Sequence, residues 1–187
     1  MEKISDSIKM KAQWRIDKFR DPRDEISKLL KAGLSIAEAV KRFSAAYLGF
    51  ETIKGNIAVH EGLYLLTGRI SGIDVATAIW DAANANLGVG NSNQAEVDED
   101  TTLIGASKLY KTMDGTYPQR AAADTAEDQF VEWRSTFGSA EANFAWEEYT
   151  VSNTTADTGK NLNRKTSSKG TKASGESWTL SLKITFA

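Results

Sequence analysis

Few side chains in this 187-residue sequence have the types and spacing for chemistry. There is one histidine, His60, and no cysteine. That excludes disulfides, thiolate metal sites, a cysteine nucleophile and a histidine-pair metal site. A Ser–His–Asp triad would have to use His60, which sits in "AVHEGLYLL" at a helix start and suits a capping or packing role there. No G-x-S-x-G elbow, Walker loop or H-E-x-x-H helix is present. The glycines of "LGVGNS" read as turn residues, because no βαβ unit surrounds them. The carboxylates remain. The stretch "EANFAWEEYTVSN" holds Glu141, Glu147 and Glu148. A glycosidase needs two carboxyl groups on one cleft, roughly 5–9 Å apart. Glu147 and Glu148, as neighbours on a strand, would point to opposite faces. Glu141 with Glu148, or Glu132 across the hairpin, would be the pair, with Trp133 and Trp146 as exposed stacking platforms for sugar. In "QAEVDEDTT", Glu96, Asp98, Glu99 and Asp100 lack the spacing and central glycine of a calcium loop. These residues assign no catalytic, metal-binding or cofactor-binding site.

The elements that would position these groups are mostly strands. In "IKMKAQWRI", Ile8, Met10, Ala12, Trp14 and Ile16 share one side of an extended chain, and Lys9, Lys11, Gln13 and Arg15 the other. "SWTLSLKITF" places Trp178, Leu180, Leu182, Ile184 and Phe186 on one face, a period-two pattern that a helix cannot make amphipathic. "QFVEWRSTF" groups Val131, Trp133 and Phe137. After a "GSAEAN" corner, Phe144, Trp146, Glu148 and Thr150 alternate with Ala145, Glu147, Tyr149 and Val151. "NANLGVGNS" and the region near Leu162 add shorter strands.

Helices are confined to two places. "DPRDEISKLL" has Asp21 as N-cap, Pro22 in the first turn, acidic Asp24 and Glu25 at the dipole's positive end, and Gly33 as terminator. "SIAEAVKRF" restarts with the capping box Ser35–Glu38, and Ile36, Ala37, Val40 and Phe43 recur at helical spacing. Read as a helix-turn-helix, this second helix would offer DNA only Lys41 and Arg42. "HEGLYLLTG" is a third, apolar helix, closed by Gly68; "VATAIWDAANA" fits helix or loop. The expected fold is mainly β: an antiparallel β-sandwich with a short helical excursion near the N-terminus. Residues 1–54 form an N-terminal strand and helical arm, and residues 55–187 the sandwich.

Charge is uneven. Residues 1–54 carry 12 Lys/Arg against 8 Asp/Glu, residues 91–150 carry 4 against 12, and residues 151–187 carry 6 against 2. Basic ends and an acidic middle suit contacts between copies, but the basic ends are too dilute for nucleic acid. No apolar run approaches the ~20 residues needed to span a bilayer, and the N-terminus lacks a signal-peptide core.

Six segments occur in order: "GNIAVHEGLYLL", "NANLGVGNS", "TTLIGA", "QFVEWRSTFGSAEANFAWEEYTVSN", "NLNRK" and "GTKASGESWTLSLKITF". Together, over roughly residues 55–187, they resemble a family of tailed-bacteriophage virion structural proteins, which includes decoration, neck and tail components. The family pattern runs from a G-N-x-x-x-x-E-G helix entry through an E-A-N-x-x-W-x-E hairpin and an L-N-R strand to a final W-T-L strand. His60 stands where the pattern has Asn. The resemblance implies a non-enzymatic, homo-oligomeric virion protein, made in the bacterial host cytoplasm. It would bind the phage major capsid protein or neck and tail proteins, with no role for nucleic acid or membrane. Trp14, Arg15, Lys18 and Arg20 on the basic arm, with Glu147, Tyr149 and Arg164, are its expected contacts. Glu147 and Glu148 would pair with Arg134, Arg164 or Lys165 at exposed positions. A carbohydrate-binding adhesive module is the competing class, and it requires exposed Trp133 and Trp146.

Overall fold

The computed structural model describes residues 10–73, 76–124 and 129–186. Two antiparallel five-stranded sheets face each other across one apolar core, so the described residues form a β-sandwich with three α-helices. The strands are β1 (Met10–Arg20), β2 (Tyr47–Lys54), β3 (Ile57–Ala58), β4 (Asn86–Gly90), β5 (Lys108–Thr112), β6 (Gln119–Arg120), β7 (Gln129–Phe137), β8 (Glu148–Ser152), β9 (Asn161–Thr166) and β10 (Glu176–Phe186). The helices are α1 (Glu25–Lys31), α2 (Ile36–Arg42) and α3 (His60–Ser71). One sheet runs β2-β1-β10-β7-β6 and the other β3-β9-β8-β4-β5. None of the described helices is long and apolar enough to cross a membrane.

The period-two segments build the first sheet. β1 and β10 pair along their whole length, from Met10 opposite Phe186 to Arg20 opposite Glu176. Trp14, Ile16, Trp133, Phe137, Trp178, Leu180, Leu182 and Ile184 line its inner face. β1 lies between β2 and β10, so the boundary at residue 54 runs through this sheet. Ile8 and Lys9, expected in the first strand, lie outside the described residues.

The outer face of this sheet is covered as well. α1 starts at Glu25 with Asp24, at φ 56°, as its N-cap residue, so Asp21 and Pro22 lie before the helix rather than at its N-cap and first turn. The Asp21 carboxylate still accepts from the backbone N–H groups of Ile26 and Ser27 at 3.1 and 2.8 Å. Ser35 Oγ accepts from Glu38 N at 3.2 Å, as the capping box requires. The two helices bury Ile26, Leu30 and Ala39 on Phe19, which a register shift after Lys18 accompanies. Ala37 is exposed; Ala39 takes the buried position.

Three local expectations are corrected. Gly68 does not end α3: the helix continues to Ser71 and stops at Gly72, whose φ of 72° supplies the left-handed cap. Gly88 and Gly90 are not turn residues but lie within β4, where a Cβ would overlap side chains of the same outer face, Thr150 and Tyr110 at one and Glu148 at the other. The strand expected from Phe144 begins only at Glu148. The preceding residues form a turn through Ala142 at φ 51°, so Trp146 does not share a face with Glu148 and Thr150. It packs in the core with Tyr149 and Val151.

Candidate functional site

The segments that carry the resemblance meet in space, and Glu148 is where most of them join. Glu148 Oε2 accepts from Arg164 Nε at 2.9 Å and Nη2 at 2.8 Å. Ile104 N donates to the same oxygen at 3.1 Å, and Gly105 N donates to Oε1 at 2.6 Å. Arg164 Nη1 also reaches Asp100 Oδ2 at 2.8 Å, and its Nη2 donates to Gln94 O at 3.0 Å. Glu148 and Arg164 are both buried. The pair is therefore not the exposed ion pair expected from the strand pattern. The loop from Asn91 to Ala106 folds over the outer face of the second sheet and closes it off, and its own backbone supplies part of the coordination. Gly90 leaves the room that the carboxylate occupies.

The other motif residues are spent in the same way. Glu61, from the helix entry, accepts from Asn161 N at 2.7 Å, while Gly62 sets the turn of α3 directly on the β9 backbone. Asn143 Oδ1 and Gly138 O each accept from Lys172 Nζ at 2.8 Å. Burial pushes the Lys172 ammonium down to about 8, with Glu176, Glu141 and Asp24 pulling the other way. The rings of Trp146 and Trp178 meet edge-on with centroids 4.9 Å apart. These residues are an architectural network, saturated by one another.

The acidic loop does not converge on a cation. Glu96 pairs with Lys165, Asp100 with Arg164, and Asp98 with His60 at 3.1 Å. Among the described residues no three metal-ligating groups cluster. Glu132 and Glu148 lie on the outer faces of opposite sheets with the core between them, so they cannot flank one glycosidic bond. Glu141 is held by Lys31, Lys111 and Gly138 N. Trp133 and Trp146 are buried, so neither offers a face to sugar.

Of the expected contact residues, three are buried. Trp14 and Tyr149 are fully buried, their rings 5.9 Å apart, because both belong to the inner faces of facing sheets. The Tyr149 hydroxyl donates to the carbonyls of Trp146 and Ser167. Arg164 is enclosed as described. Arg15, Lys18, Arg20 and Glu147 stay nearer the surface, but not as one patch. Arg15 binds Asp17 through two 2.7 Å hydrogen bonds and lies 4.1 Å over the Phe50 ring. Lys18 pairs with Glu51 and lies 4.0 Å over Trp178. Arg20 is exposed, and Glu147 accepts from Ser168 Oγ at 2.9 Å.

Sequence reasoning missed two features. One is a second buried network on the first sheet: Asp114 accepts from Arg134 Nε at 2.9 Å and Thr136 Oγ1 at 2.7 Å, while Arg134 Nη2 donates to Leu30 O and so ties α1 down. Burial raises the Asp114 carboxyl above its ordinary range, against the pull of Thr136 and Arg134. The other is the outward apolar surface. Leu63, Tyr64, Ile70 and Ile73 are exposed on and just beyond α3, and Leu48 and Phe50 on β2. Beneath α3 an apolar cavity of about 210 Å³ opens between Met10, Leu66, Trp80 and Phe186. The near-continuous apolar run of "LYLLTGRI" was the available signal: too many faces of one short helix are apolar for all to be buried. No family model, no curated protein and no solved structure matches the chain.

Proposed function

We propose that this chain is a structural component of a tailed-phage virion, a capsid decoration or cement protein that binds capsomers and its own copies. The observation that carries the reading is the use of the resembling segments in two internal networks, one around Glu148 and Arg164 and one around Asn143 and Lys172. Residues that recur in order through such a pattern are explained by the fold they hold together, and none of them is left free to act on a substrate. The rigid sandwich presents apolar side chains outward on α3 and β2, the kind of surface that binds other molecules. A stable attachment needs about 1,200–2,000 Å² of total buried area, which repetition on a particle surface supplements through effective concentration.

The test is quantitative mass spectrometry of purified particles. Copy numbers in the hundreds per particle are expected for a decoration protein. A few copies would move the assignment to neck or tail, and absence from particles would end the virion reading.

A further inference from the structure

We infer that the apolar space beneath α3 is a binding site for a single-chain aliphatic carboxylate, a fatty acid of medium length, with its chain along the helix and its carboxylate on Arg69. This goes beyond the virion reading and does not rest on it.

Protein interiors hold few voids larger than a water molecule. Here two cavities lie side by side. The one of about 210 Å³ is lined by Leu66, Arg69, Trp80, Trp133 and Phe186 among others. The other, of about 190 Å³, reaches Ala58 and Leu63. Met10, Leu66, Leu162 and Ile184 line both. Leu63, Leu66 and Arg69 follow one another three residues apart, on one side of α3. The two spaces therefore run in line along the helix, over roughly 9 Å at about 1.5 Å per residue. A space of that shape suits a chain better than a ring.

The larger cavity asks for nothing polar. The indole N–H of Trp133 donates to Trp80 O and that of Trp80 to Lys160 O, each at 2.8 Å, so both rings are satisfied elsewhere and turn carbon toward the space. A carbon-lined cavity of about 150 Å³ already stays dry and takes up benzene. This one, lined in the same way, favours an apolar guest over water.

The polar feature stands at the end of the row. Arg69 gives its aliphatic stem to the cavity wall, and its Nη2 donates to Thr77 O. Its Nε is buried and has no hydrogen-bond partner among the described residues. A buried N–H without an acceptor costs free energy. A carboxylate at this end supplies the acceptor in a charge-assisted bond, once the flexible guanidinium turns toward it. Among the described residues no Asp or Glu lines either cavity to compete for it. A cationic head group would be repelled here, which decides for the acid.

Isothermal titration of the full chain with sodium decanoate, below its micelle concentration, tests this, with the emission of Trp80 and Trp133 as a second readout. One saturable site is expected. Arg69→Met should weaken decanoate binding about tenfold, the worth of one hydrogen bond to a charged group. It should leave unchanged the binding of decanol, which has the same chain and no charge. Leu66→Trp, which fills the wall shared by the two cavities, should abolish both. Should that variant fail to fold, the wild type and Arg69→Met still decide. No saturable decanoate binding by the wild type overturns the site. Equal loss of decanoate and decanol in Arg69→Met, or no loss of either, overturns the carboxylate contact. Decanoate binding that survives in a folded Leu66→Trp places the ligand elsewhere and overturns the inference. None of these readouts involves particles, so the copy number in virions bears only on the virion reading.

Discussion

Arg164 places two of its nitrogens, Nε and Nη2, on a single oxygen of Glu148, at 2.9 and 2.8 Å, and the pair is shut away from solvent. A buried pair is weak evidence of net stabilisation, because desolvation offsets much of the attraction, but removal of one partner leaves an uncompensated charge. Arg164→Met should cost about 3–5 kcal/mol, or on the order of 10 °C in Tm for a chain of this size. Adding Glu148→Gln should recover part of that loss, since the amide is neutral and its oxygen still accepts from Gly105 N. Urea unfolding of the two variants checks the sign. A double variant weaker than the single one would mean that the charge is not the cause.

Lys172 makes stability depend on pH in an unusual direction. Its ammonium is buried against two neutral oxygens and its pKa is lowered from 10.5 to about 8. Between these values the unfolded chain holds the proton that the folded chain has released. Stability therefore rises with pH across this window. The burden is fully present below about 8 and is relieved as pH approaches 10.5. Tyr47 and Tyr110, each raised to about 12 by burial first, act oppositely above pH 10, so the measurement belongs between pH 7.5 and 9.5. Denaturant midpoints should climb over that range in the wild type, and the climb should flatten in Lys172→Met.

Gly62→Ala should raise the intrinsic helix propensity of α3 by up to about 1 kcal/mol and still destabilise the protein. A Cβ there would stand 2.5 Å from Leu162 O and 2.6 Å from Asn161 O, both backbone atoms that cannot rotate away. Forcing α3 off β9 costs roughly 1–3 kcal/mol or more. A lower urea midpoint, with loss of helical circular dichroism before the sheet signal, is the expected outcome.

All five tryptophans, Trp14, Trp80, Trp133, Trp146 and Trp178, are buried. Native fluorescence should be blue-shifted and resist acrylamide, with quenching rising sharply only on unfolding. No glycan should perturb it. A saccharide that shifts the emission would restore the adhesive reading that the burial of Trp133 and Trp146 argues against.

The alternation in β1, β7 and β10 was readable residue by residue, because a strand's period of two writes its buried face directly into the order of side chains. The Ser35 cap of α2 was equally local, and the Asp21 carboxylate serves α1 although Asp24 is its N-cap residue. Periodicity says nothing, however, about what covers the second face. It assigned Glu148 and Arg164 to an exposed surface, yet the partners that enclose them, Ile104, Gly105, Gln94 and Asp100, lie 43 to 70 residues away in the chain.

The same limit explains the contact residues. Trp14 was recognisable as apolar and Tyr149 as facing a second layer, but which layer, the partner sheet of the same chain or another molecule, depends on how two sheets stack. Likewise "YLGFETIK" does not announce that it is an edge; that follows from a strand order in which β1 is flanked by β2 and β10. The amino-acid order determined that β1, β7 and β10 extend, where α2 and α3 begin, and that thiol chemistry is absent. Only the packed chain decided which polar groups were sealed inside and which apolar ones were left out, because burial is set by neighbours distant in sequence.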